Sequence, residues 1–231
     1  MITGKVTAIE KEPVEVDAGG QKLMYKVAVV KVDAALAGAA NTTHIKVGFP
    51  TARVGRGPIL ALELNQEGLF FLTKHPAGQF HTFNWMTSPV PADAEHYKST
   101  LTVVKSALSV LADPAKALKA EKVEDRAFAA TALVLKYRTA PQTEAELKTE
   151  KIAADESRLI LKSLAEANWT NSDPSPVRAF YMLGINAEDG WVQPKAGQPG
   201  TNFNEELQKA FAKWVDGPGK DYRINKFVVK K

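Results

Sequence analysis

The residues best suited to proton transfer or metal binding are four histidines, His44, His75, His81 and His96. His75 and His81 flank one expected turn and are close enough in the chain to share an ion. Zinc ordinarily takes roughly three or four protein ligands. No carboxylate stands near the pair, so the site is incomplete, and surface or hydrogen-bonded histidine is the expectation. Carboxylates come in pairs at Glu124–Asp125, Asp155–Glu156 and Glu205–Glu206. Each pair falls at or near an expected helix start, where acidic groups favour the amide-rich end of the helix. General acid–base work needs two carboxylates facing each other across a cleft, which adjacency does not supply. The chain has no cysteine, so disulfides, thiolate zinc sites and cysteine nucleophiles are excluded. No Gly-x-Ser-x-Gly elbow is present. Gly55-Arg56-Gly57-Pro58 leads towards a strand, so its glycines serve a turn and not a phosphate cradle. No catalytic residue, metal site or cofactor is expected.

What remains is binding. Phe70, Phe71, Phe80, Phe83 and Trp85 supply rings, and Lys46, Arg53, Arg56 and Lys74 supply charge, within one stretch of chain. Aromatic platforms beside a basic groove bind single-stranded nucleic acid. Against this, Phe70 and Phe71 point to opposite faces of one strand, so at least one is core, and the cations do not cluster. The candidate ligand face is Lys46, Arg53, Arg56, Lys74, His75, His81 and Trp85.

These residues sit in a segment that reads as strands. Ile2, Gly4, Val6 and Ala8 alternate, and Ala18-Gly-Gly-Gln marks a turn. In Leu23 to Val32 the apolar phase runs through Tyr25, Val27 and Val29. It then shifts to Val30 and Val32, the pattern of a bulge that bends the strand. Ile45, Val47 and Phe49 alternate next, Pro50–Pro58 reads as a loop, and Leu60, Leu62 and Leu64 alternate again. Leu69-Phe-Phe-Leu is apolar on both faces, as a central strand is, and Phe80–Phe83 closes the set. Five or six short strands in this length suit a small barrel.

Composition changes over Asn84–Ala94, with Pro89 and Pro91, and the period then becomes helical. Tyr97, Leu101, Val104, Leu108 and Leu111 form one stripe. Asp113-Pro114 starts a helix, and Val123–Tyr137 is apolar nearly all round and should sit centrally. Ala153–Asn168 is another helix. Ser175-Pro176 opens a short one that Gly184 ends, and Asn204 is the expected cap of the last. Tyr222–Val229 is either a terminal strand or a packed tail. The resulting layout is α+β: an oligonucleotide/oligosaccharide-binding (OB)-like β-barrel of five to six strands over 1–87, a linker over 88–96, and an all-α helical bundle over 97–231.

Gly4-Lys-Val-Thr-Ala-Ile, Tyr25-Lys-Val-Ala-Val-Val-Lys-Val, Ile45-Lys-Val and Leu64-Asn-Gln-Glu-Gly-Leu-Phe-Phe-Leu, in that order, resemble the netrin-like module of tissue inhibitors of metalloproteinases. The resemblance covers about residues 2–83 and implies a barrel of the OB type. In that family an amino-terminal cysteine chelates the protease zinc. This chain has none, so the resemblance carries a shape and not the inhibition. Leu111-Ala-Asp-Pro and Glu124-Asp-Arg-Ala-Phe-Ala-Ala-Thr-Ala-Leu resemble helical-hairpin repeats of the HEAT kind. At most one or two units are present, and a solenoid needs about three, so a compact bundle is expected.

Across 231 residues, 30 cationic and 26 anionic side chains are interleaved, giving a net charge of +4. That is a solvated surface more than a phosphate track. Only the tail, with Lys220, Arg223, Lys226, Lys230 and Lys231, is locally basic. Asn41-Thr-Thr and Asn168-Trp-Thr match the glycosylation sequon. No run approaches the roughly 18 apolar residues a membrane span needs. A strand beginning almost at Met1 suits a mature chain whose leader has been removed, so the expected setting is extracytoplasmic, and otherwise cytoplasmic. The expected function is a non-enzymatic protein-interaction or scaffold role with a protein partner. A cytosolic single-strand nucleic-acid binder and a hydrolase with an unrecognised site are the alternatives.

Overall fold

The structure is a computed structural model, and it describes residues 1–17, 22–51, 61–83, 89–141, 143, 145–170, 175–195 and 202–230. The fold is mixed α+β, with a curled sheet and six α-helices among the described residues. The chain divides into two compact units, Met1–Leu108 and Ser109–Lys231.

The first unit is built on β1 (Ile2–Ile9), β2 (Val14–Asp17), β3 (Lys22–Ala35), β4 (His44–Pro50), β5 (Glu67–Phe70), β6 (Leu72–Lys74), β7 (His81–Phe83) and β8 (Val90–Pro91). They form one sheet in the order β6-β7-β4-β3-β1-β5-β8, with β2 paired to β3 beside that path. All pairs are antiparallel except β4 with β7, which run parallel at Val47↔His81 and Gly48↔Thr82. β5 and β6 are one stretch of chain interrupted only at Phe71. Its first part pairs with β1 and its second with β7. The interior holds Ile2, Val6, Ala28, Val30, Ile45, Val47, Phe49, Leu62 and Phe70.

The apparent phase shift in β3 has a different cause from the expected bulge. Ala28 and Val30 face the interior, whereas Tyr25 and Val27 belong to a second cluster with Val16 and Phe80. The strand is thus covered on both faces, and the switch in pattern marks where the outer cover stops. Irregularities do occur, between Val6 and Ala8 and between Thr3 and Gly4, in the ladder of β1 with β3. The first flips the phase of β1, so Ile9 packs against the interior while Ala8 is exposed. Gly4 must be glycine here, because a Cβ would stand 2.3 Å from the Lys31 carbonyl oxygen.

Leu62 and Leu64 do not lie on one strand. Leu62 is 4% exposed and Leu64 57%. Asn65 between β-forming segments takes a left-handed φ of 66°, and the Gln66 side chain accepts from the Glu63 amide at 3.0 Å, so this stretch turns. Leu60 lies outside the described residues, as does most of the Pro50–Pro58 loop. The expected linker, 88–96, contains β8, which pairs with β5 at Gly68↔Pro91 and Leu69↔Val90.

Helix α1 (Tyr97–Ala112) spans the division between the units. In the second unit follow α2 (Pro114–Ala117), α3 (Val123–Arg138), β9 (Leu147–Lys151), α4 (Ala154–Glu166), α5 (Pro176–Leu183), α6 (Phe203–Asp216) and β10 (Asn225–Val229). An all-helical domain is therefore corrected: β9 and β10 pair antiparallel from Asn225↔Lys151 to Val229↔Leu147. β9 is short and mostly polar, which hides it from a search for apolar alternation, whereas β10 falls within Tyr222–Val229, for which a terminal strand is one of the two expectations. The caps act through short polar side chains. Asp113 accepts from the Lys116 amide at 3.0 Å, Ser175 accepts from that of Arg178, and Gly184 ends α5 at φ 71°. The cap of α6 is Asn202, which accepts from the Asn204 amide at 3.0 Å, in place of the expected Asn204.

Helix α3 is central, burying Ala127, Ala129, Ala130, Thr131, Leu133 and Val134. Around it Trp169, Phe180, Trp191, Phe211 and Trp214 form a connected aromatic core. Each indole N–H is satisfied: Trp169 donates to the Leu164 carbonyl and Trp214 to that of Asp189, both at 2.8 Å, and Trp191 to Gln193 at 3.1 Å. Arg126, the arginine of the HEAT-like segment, donates to the carbonyls of Ala120 and Glu121 and pairs with Glu166 at 2.7 Å, joining the start of α3 to the end of α4. Among the described residues no helix is long and apolar enough to cross a membrane.

Candidate functional site

A cavity of about 510 Å³ opens on the outer side of β3 and β4. Its walls are β2, with Val14, Glu15, Val16 and Asp17, and the turn Ala77–Phe80. Val27 forms the floor, and Glu10 and Lys46 close one end. This volume lies within the range of ordinary ligand pockets, roughly 300–1,000 Å³. β2 has a described strand on one side only, β3, and its residues Val14–Asp17 form one wall of the cavity.

The turn is held in place by its own sequence. His75 N–H donates to the Phe80 carbonyl at 3.0 Å, and the His75 Nδ1 accepts from the amides of Gly78 and Ala77 at 2.8 and 3.1 Å. A backbone N–H can only donate, so Nδ1 carries no proton and the neutral ring holds its hydrogen on Nε2. Tyr25 meets the His75 ring edge-on, with centroids 5.2 Å apart, and Phe80 lies 5.1 Å from it. Phe80 itself is seated over Gly48, where a Cβ would stand 2.2 Å from the ring. His75 is 5% exposed, and burial pushes its imidazole below the usual range and the Tyr25 phenol above it.

The charges around the cavity are partnered. Lys46 reaches Glu10 at 2.7 Å and Lys22 reaches Glu15 at 2.7 Å. Exposed pairs of this kind contribute little to stability, about 0–1 kcal/mol, but they fix where the carboxylates stand. The lining carries Glu10, Glu15 and Asp17, and with Lys22 standing on Glu15 three carboxylates there meet the two ammonium groups of Lys46 and Lys22.

Of the residues expected to share a ligand face, Lys46, Lys74 and His81 stand on the neighbouring strands β4, β6 and β7, and His75 opens the turn that joins β6 to β7. His81 pairs in register with Lys74 and with Val47. Lys46 lines the cavity and Lys74 is exposed, while His75 serves the turn instead of facing solvent. Arg53, Arg56 and Trp85 lie outside the described residues. The rings expected as stacking platforms are largely consumed by packing: Phe70 is interior, Phe80 is buried on Gly48, and Phe83 packs against the interior cluster. Among the described residues no three His, Asp or Glu side chains are grouped to hold a metal ion.

Sequence reading missed β2 and with it the acidic wall. The signal was present, since Val14-Glu-Val-Asp alternates and follows Pro13, but four residues are too few to stand out between two turns. No protein-family model matches the chain, and neither a curated protein nor a solved structure is similar enough to it to count as a match.

Proposed function

We propose that this chain is a non-enzymatic protein-interaction or scaffold unit in which an OB-like barrel takes an extended peptide along β2. The barrel reading is supported by the pairing circuit. Running from β1 to β3, β4 and β7, and back through β6 and β5 to β1, five segments meet end to end, because one stretch of chain serves both β7 and β1. The netrin-like resemblance enters this proposal as a shape alone.

The observation that carries the functional reading is a strand with a described neighbour on one side only, β2, which forms one wall of a cavity of about 510 Å³. Peptides commonly dock by adding a strand to such an edge, with main-chain hydrogen bonds for affinity and alternate side chains for selection. Val27 and Phe80 offer an apolar floor for one side chain, and the carboxylates favour a partner bearing lysine or arginine. A phosphate backbone would meet like charge there and would find its stacking rings already packed.

The test uses the full chain and two labelled peptides, one alternating lysine with valine and one alternating glutamate with valine, beside a single-stranded oligonucleotide. The lysine peptide should shift the amides of Val14–Asp17 and Ala77–Phe80 in nuclear magnetic resonance spectra, and the glutamate peptide should not. Tight oligonucleotide binding that weakens steeply with salt would replace this reading with the nucleic-acid one. The extracytoplasmic setting belongs to the same proposal; recovery of the native protein only in the cytoplasmic fraction of its cell would remove it.

A further inference from the structure

We infer that the His75 turn is an acid-sensitive latch: protonating the His75 imidazole unfastens residues 75–80 and with them one wall of the β2 cavity. The inference deepens the peptide-binding reading by naming how that site would be regulated, and it rests on that reading only for its consequence.

The geometry leaves protonated His75 no place in the folded turn. Nδ1 accepts two backbone hydrogen bonds, at 2.8 and 3.1 Å, from consecutive amides. A proton on Nδ1 would face both donors. The two amides would lose their acceptor, and the imidazolium would meet them as like-directed donors. Neither loss is compensated nearby. From β3 the group facing the ring is the Tyr25 phenol, and within the turn it is the Phe80 ring. Lys74 and His81 flank the turn, and the Lys74 ammonium opposes a second positive charge. Glu10, Glu15, Asp17 and Lys46 line the cavity beyond Phe80, and Glu10 and Glu15 are already paired with Lys46 and Lys22. Among the described residues no carboxylate lies within ion-pair reach of His75.

The sign follows from burial, which disfavours the charged ring and holds it below its ordinary range. The stability that the neutral ring confers is therefore fully present above the unfolded value, about 6.5. It is lost as pH falls from there through the lower folded value. The wall that moves is specific. Phe80 is fixed by Gly48 below and by the His75 and Tyr25 rings beside it, so a turn that lets go of His75 lets go of Phe80 too.

The experiment follows the His75 ring and the Ala77 and Gly78 amides of the full chain by nuclear magnetic resonance between about pH 7.5 and about pH 4. The ring should titrate below the ordinary imidazole range, and both amides should shift and lose exchange protection with the same midpoint. His75→Asn offers a side-chain oxygen in place of Nδ1 and does not titrate, so its turn amides should stay pH-independent over the same interval. Should that variant fail to fold, the titration of the native chain decides alone. An ordinary imidazole midpoint, or amides that stay protected after the ring has charged, overturns the latch. A turn that responds as described in a chain that binds no peptide at any pH keeps the latch and removes the binding reading.

Discussion

Replacing Thr131 by valine exchanges a sealed hydroxyl for a methyl group at the centre of α3. Thr131 is 0% exposed, and its hydroxyl is the one buried side-chain polar atom without a hydrogen-bond partner among the described residues. Leaving a buried hydroxyl unpaired costs about 1–3 kcal/mol. Valine keeps the β-branched outline, and the two residues differ little in helix propensity, by roughly a few tenths of a kcal/mol. Thr131→Val should therefore stabilise the second unit by about 1 kcal/mol, or about 3–5 °C in Tm. Thr131→Ser keeps the hydroxyl and deletes the methyl, so it should destabilise by about 1 kcal/mol. The two substitutions thus move in opposite directions from one position. Urea unfolding followed by tryptophan fluorescence reads this directly, because Trp169, Trp191 and Trp214 lie in the same core. A Thr131→Val chain less stable than the parent would mean that the hydroxyl is hydrogen-bonded in solution, and the packing argument would fail.

Phe211→Ala removes the ring that touches Trp169, Phe180 and Trp214, and should cost about 3–5 kcal/mol, seen as an earlier urea midpoint. Gly48→Ala puts a Cβ 2.2 Å from the Phe80 ring, so Phe80 must leave its seat. The expected loss is about 1–3 kcal/mol, with chemical-shift changes concentrated over residues 75–80; an unchanged turn would count against the seating. Tyr137 donates to Glu156 at 2.6 Å, and burial followed by the hydrogen bond and charge of Glu156 holds its phenol well above the tyrosine range. The unfolded chain releases that proton near pH 10 while the folded one retains it, so the associated stability is lost as pH rises above that point. Alkaline unfolding of Tyr137→Phe should show less of this loss, and an identical alkaline profile would contradict the assignment.

The elements that sequence reading found are those whose burial follows one period. Ile45, Val47 and Phe49 alternate because β4 has one interior face, and Val123–Tyr137 is apolar nearly all round because α3 packs against α2, α4, α5 and β10. Misreadings arose where two partners share one segment. β3 carries interior residues at Ala28 and Val30 and a separate outer cluster at Tyr25 and Val27, and the superposition looks like a slipped phase. Leu62 and Leu64 alternate in sequence but part company at a turn set by Asn65 and Gln66. His75 is expected as a surface or hydrogen-bonded histidine, and the structure has the second. Its two amide donors were not legible, because they depend on how five following residues fold back upon it. The cavity was invisible for a related reason: its walls, Val14–Asp17 and Ala77–Phe80, are about sixty residues apart, and only tertiary pairing brings them together.

The stretch Glu67–Lys74, which gives its first half to β1 and its second to β7, also constrains the order of assembly. During synthesis β1, β3 and β4 can pair as soon as they emerge, but β1 keeps an unpaired edge until residue 70 has been made. β7 then finds β4 in parallel, a pairing no hairpin can template. Non-local closure of this kind is slow, because the loop entropy is lost before the contacts form. Pulse-labelled hydrogen exchange should therefore protect Val47 and Lys31 early and Phe70 and His81 last. In that interval the edge of β1 is the part of the chain most exposed to pairing with another molecule.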